Sequence, residues 1–212
     1  MRPAIARLLA GLVAFILIGW GVGALWTSLS VSSELDFMQE VVAQRTATLT
    51  TLARIVTWAG SSFVLVPLAV LCCLALMRAG MRLEAIGVAL SLGGALLISD
   101  LDKLLVSRAR PPVEHLQAVS GYSFPSGHAT QASAFWFSLV LAIRQHAEPR
   151  MLRLAAAAAT LIVAAVALSR VYLGVHYPSD VIAGVLLGTG WAMYVAACLG
   201  RSSPVAAELA AS

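Results

Sequence analysis

The sequence predicts an all-α polytopic membrane protein: one bundle of six transmembrane helices with its active site at the outer-face helix ends. Two observations carry the fold class. The 212-residue chain is 60% hydrophobic and only 11% charged, with a mean hydropathy of +0.89, whereas a soluble domain carries about 25% charged residues. Six segments, roughly 5–27, 56–77, 83–100, 127–144, 153–169 and 180–199, are apolar over lengths near what a helix needs to cross the hydrocarbon core. The length suits a single domain over 1–212.

The first segment follows a basic start, MRPAIARLLAGLVAFILIGWGVGALW, like a signal peptide. Its apolar run is long enough to span, and no small-x-small cleavage site precedes a soluble domain, so an uncleaved helix is expected. Residues 28–54 are amphipathic: Leu35, Met38, Val41 and Val42 recur at helical spacing, with Glu34, Asp36, Gln39 and Glu40 between them. This outer segment reads either as an interfacial helix lining a lateral path for a lipid or as a plain connecting helix. Cys72, Cys73 and Cys198 all lie in apolar segments with no CxxC or Cys/His spacing, and read as small apolar residues. The fifth segment, LAAAAATLIVAAVAL, suits close helix packing, and Gly184, Gly188 and Gly190 in the sixth read as ordinary packing positions.

Charge sets the orientation. Arg2, Arg7, Arg78, Arg82, Arg144, Arg150, Arg153 and Arg201 fall on one side, which the positive-inside rule makes cytoplasmic together with both termini. The arginine excess and alanine richness point to a bacterial plasma (inner) membrane. Arg45, Arg54, Lys103, Arg108, Arg110 and Arg170 fall on the other side. The basic residues are scattered, so the net charge of +4 implies no nucleic-acid partner. Lys103, Arg108, Arg110 and Arg170 gather in two outer loops, 101–126 and 170–179, in or beside which His115, His128 and His176 also lie. Ionisable groups concentrated at one membrane face mark a functional site.

Three stretches supply that site. In KLLVSRARP, Lys103 and Arg110 are seven residues apart, two helical turns, so both are expected on one side of a helix end. Pro111 disfavours helical geometry at Arg110 and marks the exit into a loop. Alone, the pair reads equally as snorkelling interfacial cations. In FPSGH, Ser126 is a natural N-cap and Gly127 admits an anion close to the free N–H groups of a helix start, with His128 in the first turn. Alone, it reads equally as a cap and an interfacial histidine. In SRVYLGVHYPSD, Asp180 lies four residues after His176, close enough to hold the imidazole in one tautomer. Alone, Asp180 also reads as a first-turn acid complementing the helix dipole.

Together the stretches offer three cations, a helix N-terminus, a serine and two histidines, one backed by a carboxylate. That inventory fits phosphoryl transfer, whose barrier falls mainly by positioning and by neutralising charge on the phosphoryl oxygens. No HExxH or acidic cluster appears, and the acids within reach are Asp100, Asp102, Glu114 and Asp180, so no metal or other cofactor is expected. The residues alone leave open which histidine attacks, although the His–Asp spacing favours His176.

These stretches resemble the three signature motifs of the type 2 phosphatidic acid phosphatase superfamily, K-x6-R-P, P-S-G-H and S-R-x5-H-x3-D, with every signature position matched in order. The resemblance implies that Lys103, Arg110 and Arg170 clamp the phosphate while Ser126 and the Gly127 amide complete the cradle. It implies His176 as nucleophile forming a phosphohistidine, Asp180 orienting it, and His128 protonating the leaving oxygen and then activating water, without a metal. The implied substrate is an amphiphilic lipid phosphate reached at the extracytoplasmic face while its tail stays among membrane lipids: undecaprenyl diphosphate, phosphatidylglycerol phosphate or phosphatidate. Glu114 and His115 are candidate headgroup contacts or solvated loop residues, and none of the motifs speaks to oligomeric state. Two other readings use the same anion site. A vanadium-dependent haloperoxidase shares the motifs because vanadate resembles phosphate, but those relatives are soluble and larger. A non-catalytic lipid-phosphate carrier or transporter would not need His176 and Asp180 in this arrangement.

Overall fold

The computed structural model describes residues 2–29 and 31–200, and every regular element within them is helical. The order is α1 (Arg2–Leu29), α2 (Val31–Ala43), α3 (Ala47–Val56), a 3-10 turn (Thr57–Gly60), α4 (Ser62–Arg78), α5 (Arg82–Val106), α6 (Gly127–Ile143), α7 (Pro149–Tyr172) and α8 (Pro178–Cys198). The six apolar segments of the sequence correspond to α1 and α4 to α8. Arg201, counted with the cytoplasmic cations, lies outside the described residues along with the rest of 201–212.

Four of these helices are long and apolar enough to cross a membrane: α1 over Ile5–Ser28, α5, α7 and α8. A fifth span exists if the bent pair Ala47–Gly60 and Ser62–Arg78, which meet at 44°, is taken as one. Helix α6 has only 17 residues, about 26 Å of helix. It is nonetheless the centre of the bundle, packed against α4, α5, α7 and α8, with Ala129 to Phe135 all buried. Sheltered on every side, it carries Thr130, Gln131 and Ser133 inward where a lipid-facing helix would carry leucine. The outward surface of the surrounding helices is apolar: Phe63 is 87% exposed, and Leu104, Leu161, Leu168 and Leu186 also point away from the bundle. An exposed apolar belt of this kind is stable only in lipid.

Helix ends follow local chemistry. Proline opens α7 and α8 at positions where its missing N–H costs nothing. Thr46 and Ser61 cap α3 and α4 by accepting from Leu49 and Phe63 N–H, each at 3.3 Å. Helix α5 stops at Ser107, in the left-handed conformation (φ 51°), whose N–H donates to Lys103 O at 3.0 Å and whose hydroxyl donates to Leu104 O at 2.8 Å. This closure precedes Pro111, so the expectation that Lys103 and Arg110 share one helix face is corrected: Lys103 is helical and Arg110 belongs to the loop.

Helices α6 and α8 meet through glycine. A Cβ on Gly184 would lie 2.8 Å from Ser126 O, and one on Gly188 would collide with the Ser133 hydroxyl and the Thr130 carbonyl. Gly190 faces Phe15 of α1 instead, at 3.0 Å. Deeper in the bundle Trp191 lies edge-on to Phe15 with centroids 5.7 Å apart and donates its indole N–H to Leu90 O at 3.0 Å.

The outer segment forms two helices lying across one end of the bundle. Met38 of α2 is fully buried among Ala129, Val171, Tyr177 and Val181, so α2 covers the ends of α6, α7 and α8. Helix α3 rests on the end of α7: Ala53 packs with Leu173 and Val175, and Thr46 N–H donates to Tyr172 Oη at 3.0 Å.

Candidate active site

The C-terminal ends of α5 and α7 and the N-terminal ends of α6 and α8 converge beneath this cover. Helix direction therefore decides which groups face each other, and the three stretches singled out in the sequence meet here. Ser126 N–H donates to Asp180 O at 3.0 Å, tying the start of α6 to the first turn of α8. Lys103 Nζ stands 3.1 Å from where a Cβ on Gly127 would lie, with Gln131 Nε2 and Ser99 Oγ at 3.5 and 3.8 Å from the same point. Gly127 thus leaves open a small space ringed by donors. His128 lies within electrostatic reach of Lys103, Arg110, Arg170 and His176.

Ser126 occupies the N-cap position of α6, but its hydroxyl caps nothing: it is buried and without a hydrogen-bond partner. Arg170, 2% exposed at the end of α7, donates from Nη1 to Thr57 Oγ1 at 2.8 Å and Gln117 Oε1 at 2.6 Å, while its Nε is buried without a partner. Lys103 Nζ makes only a long contact to Ser99 O at 3.4 Å. Buried donors normally find acceptors, so this convergence of under-used donors at a helix N-terminus is suited to an anion. Arg110 is placed differently: Nη1 donates to Val175 O at 2.7 Å, Nε to Gly121 O and Nη2 to Ser120 O, both at 3.0 Å. It staples the two loops together beside His176, and burial lowers its pKa with Asp180 opposing.

His176 is 2% exposed, and its Nδ1 faces Asp180 Oδ2 at 3.6 Å and Ser123 Oγ at 3.5 Å. Gly174 makes the preceding turn possible with φ +79°; a Cβ there would press on Glu114 O at 2.6 Å. Asp180 is held closely: Oδ2 accepts from the Ser123 hydroxyl and from Tyr177 N–H at 2.9 Å, and Oδ1 accepts from Arg108 Nη1 at 2.6 Å. Arg108 also reaches Ser179 Oγ and Glu34 Oε2, both at 2.7 Å. Burial opposes the Arg108 charge, but Asp180 and then Glu34 outweigh it and raise its pKa.

Burial is the chief cause of a His176 pKa lowered to about 4, with Arg170 and Arg110 adding to the shift and Asp180 partly offsetting it. The ring is therefore neutral at pH 7. In the unfolded chain its pKa is about 6.5, so between these values the unfolded state binds the extra proton. The associated stability is complete above about pH 6.5 and is lost as pH falls towards 4, on the order of 3 kcal/mol. Thermal unfolding in detergent at pH 7 and pH 4.5 checks this: the acid-induced drop in Tm should be smaller in His176→Asn, and an equal drop in both proteins would refute it.

Thr57, Gln117 and Ser123 escaped the sequence reading, which placed Arg108 only among the outer-face cations and Glu34 only among the polar residues of the 28–54 segment, without a role at the site. Ser123 lies three residues before Ser126 and Arg108 lies inside the K-x6-R-P interval, so position hinted at both; Glu34, Thr57 and Gln117 carried no local signal. His115 turns away, its Nε2 2.9 Å from Pro111 O. Glu114 is largely exposed and pairs with Arg45 at 3.6 Å. Asp102 points towards α1, where a Cβ on Gly19 would collide with its carboxyl group. No cluster of three or more His, Cys, Asp or Glu able to hold a metal occurs among the described residues.

Comparison with known proteins gives a consistent set of matches. A family model described as the PAP2 superfamily matches residues 84–204. Phosphatidylglycerophosphatase B of Bacillus subtilis is 30% identical over 135 residues, covering 63% of this chain and 66% of that protein. Undecaprenyl-diphosphatase of Sulfolobus acidocaldarius is 25% identical over 202 residues, covering 92% and 91% of the two chains. Among solved structures, a transmembrane PAP2 type phosphatidylglycerolphosphate phosphatase from Bacillus subtilis superposes with a TM-score of 0.78 at 26% identity, over 91% of this chain and 98% of that one. LpxE of Aquifex aeolicus shares the fold, with a TM-score of 0.63 at 21% identity over 78% of this chain and 96% of that one.

Proposed function

The chain belongs to the PAP2 superfamily, and from that premise we propose that it is a lipid phosphatase that hydrolyses a phosphate or diphosphate ester of a membrane lipid through a phosphohistidine. The observation that carries this reading is the gathering of under-used polar groups around the start of α6: the buried Ser126 Oγ and Arg170 Nε, without partners among the described residues, and the half-buried, weakly bonded Lys103 Nζ. Two cations beside a helix N-terminus favour an anion, and a phosphoryl group presents the acceptor oxygens this set lacks.

In the proposed reaction, Lys103, Arg110, Arg170, the Ser126 hydroxyl and the Gly127 amide hold the phosphoryl oxygens. His176 turns Nδ1 towards Asp180, which leaves Nε2 as the attacking atom. Its lone pair forms the P–N bond as the bond from phosphorus to the leaving oxygen breaks. His128 donates a proton to that oxygen, releasing the lipid alcohol or, from a diphosphate, the lipid monophosphate. Neutral His128 then takes a proton from water, the oxygen attacks phosphorus, the P–N bond breaks and inorganic phosphate leaves. Asp180 offsets the positive charge on the imidazole while the intermediate lasts. The three cations balance the charge that a metal balances in other phosphatases, so the proposed chemistry is metal-independent.

The same reading takes α1 and α4 to α8 as six spans, with the site at the extracytoplasmic face of a bacterial inner membrane and both termini in the cytoplasm. Support comes from the far end of the bundle, where Arg78, Arg82, Arg144, Arg150 and Arg153 flank helix ends. The names of the relatives favour phosphatidylglycerol phosphate and undecaprenyl diphosphate as substrates over phosphatidate. Against a carrier that only binds lipid phosphate stands the buried His176–Asp180 pair, which binding alone does not require. Phosphate release from detergent-solubilised lipid phosphates and diphosphates, with EDTA present, tests the reading. Turnover is expected to persist in EDTA, with one lipid ahead of the rest by ten-fold or more. Binding without release of phosphate would favour the carrier, and loss of activity in EDTA would sink the metal-free step.

A further inference from the structure

The geometry points to Arg108 as the positioning residue of the nucleophile, itself held in place by Glu34 of the outer helix α2. The inference rests on the proposed phosphatase reaction and concerns how His176 is aimed within it.

The two oxygens of Asp180 have different tasks. Oδ2 accepts from Ser123 and Tyr177 N–H and faces His176 Nδ1. Oδ1 is taken by Arg108 Nη1 at 2.6 Å. A carboxylate held at one oxygen only can rotate, whereas one held at both keeps the same oxygen towards the imidazole. Asp180 is fully buried, and Arg108, 3% exposed, is the guanidinium paired with it. Breaking such a pair would leave an uncompensated buried charge. Arg108 is fixed in turn. Its guanidinium lies 4.1 Å above the Tyr177 ring, Nη1 also bonds Ser179 Oγ, and Nη2 bonds Glu34 Oε2. The other Glu34 oxygen accepts Ser179 N–H at 2.7 Å, so Glu34 bridges Arg108 and the first turn of α8.

Arg108 differs from Lys103 and Arg170, whose free donors face the start of α6. Its Nη1 and Nη2 hydrogen bonds go to Asp180, Ser179 and Glu34, while its Nε is buried without a partner among the described residues. With both ends of the guanidinium committed to that network, it acts on phosphate through His176. Helix α2 is thereby part of the catalytic apparatus, contributing an acid to the chain Glu34–Arg108–Asp180–His176.

The test uses the full chain in detergent with dioctanoyl phosphatidate as substrate and inorganic phosphate as a probe of the anion site. In Arg108→Met, kcat is expected to fall about 10- to 100-fold, the cost of a misplaced reacting group, while KM and the inhibition constant of inorganic phosphate change less than about three-fold. Arg108→Lys should recover part of the loss. Glu34→Gln should lower kcat by less, and the double variant should be no worse than Arg108→Met, because Glu34 acts through Arg108. An active parent with undiminished turnover in Arg108→Met overturns this inference and leaves the phosphatase reading intact. Parallel losses of kcat, phosphate affinity and Tm in Arg108→Met and Arg108→Lys show a purely structural role and also overturn it. A parent that turns over none of the lipid phosphates takes both readings down together.

Discussion

Replacing His176 with alanine is expected to lower kcat by about 10^4-fold or more, the scale seen when a catalytic nucleophile is deleted from an otherwise intact site. The surrounding hydrogen bonds predict that the site stays assembled. Asp180 keeps Arg108, Ser123 and Tyr177 N–H, and the anion-facing groups Ser126, Lys103 and Arg170 are untouched. Inorganic phosphate and lipid should therefore still bind, so the loss should fall on kcat with little change in phosphate affinity. The companion measurement is a rapid alkaline quench of the parent with a lipid phosphate radiolabelled at phosphorus, which should capture a base-stable, acid-labile label on the protein. Turnover by His176→Ala within ten-fold of the parent would remove His176 from the nucleophile's role.

The second large effect is expected at His128. Proton transfer by a positioned side chain contributes about 10²- to 10⁴-fold, and His128 is assigned two such transfers. With a lipid phosphate, whose alkoxide leaves poorly, His128→Ala should lose about 10³-fold in kcat. An aryl phosphate such as p-nitrophenyl phosphate has a leaving group that needs no proton, so the first step should largely survive. The second step should not, because water still needs a base. The variant should then show a burst of nitrophenol close to one equivalent per site, followed by a slow phase, with the phosphoenzyme accumulating. Equal losses on both substrates without a burst would mean that His128 is not the acid of the first step.

The helices were legible because membrane spans are written in composition. Apolar runs marked α1 and α4 to α8, and Ser126 with Gly127 marked the start of α6. The end of α5 was not marked: nothing in KLLVSRARP announces that Ser107 adopts a left-handed conformation ahead of the proline. The proposed phosphate-binding groups Lys103, Ser126, Gly127 and Arg170 were legible because each lies at a helix terminus, where local sequence carries geometry. Pairing across the fold was not. Arg108 meets Glu34 and Asp180 across separations of 74 and 72 residues, and periodicity within one helix says nothing about which acid a distant arginine will find. For the same reason the amphipathic pattern of α2 was visible while its seat was not. A buried Met38 looks the same in sequence whether it faces lipid or the tops of three helices.

The glycine contact between α6 and α8 has a further consequence. With backbone laid against backbone at Gly184 and Gly188, the distance from the phosphate cradle on α6 to the residues that open α8 is set by main chain, with no side chain free to adjust it. The bundle behaves as a fixed gauge whose outer coat is open to drift. Leucines facing the bilayer can be exchanged for other apolar residues without altering that distance, while a single methyl group added at position 188 would spread the gauge itself. Descendants of this chain that acquire a different lipid preference should therefore differ in the outer helices and loops above the gauge and retain glycine at both points of contact.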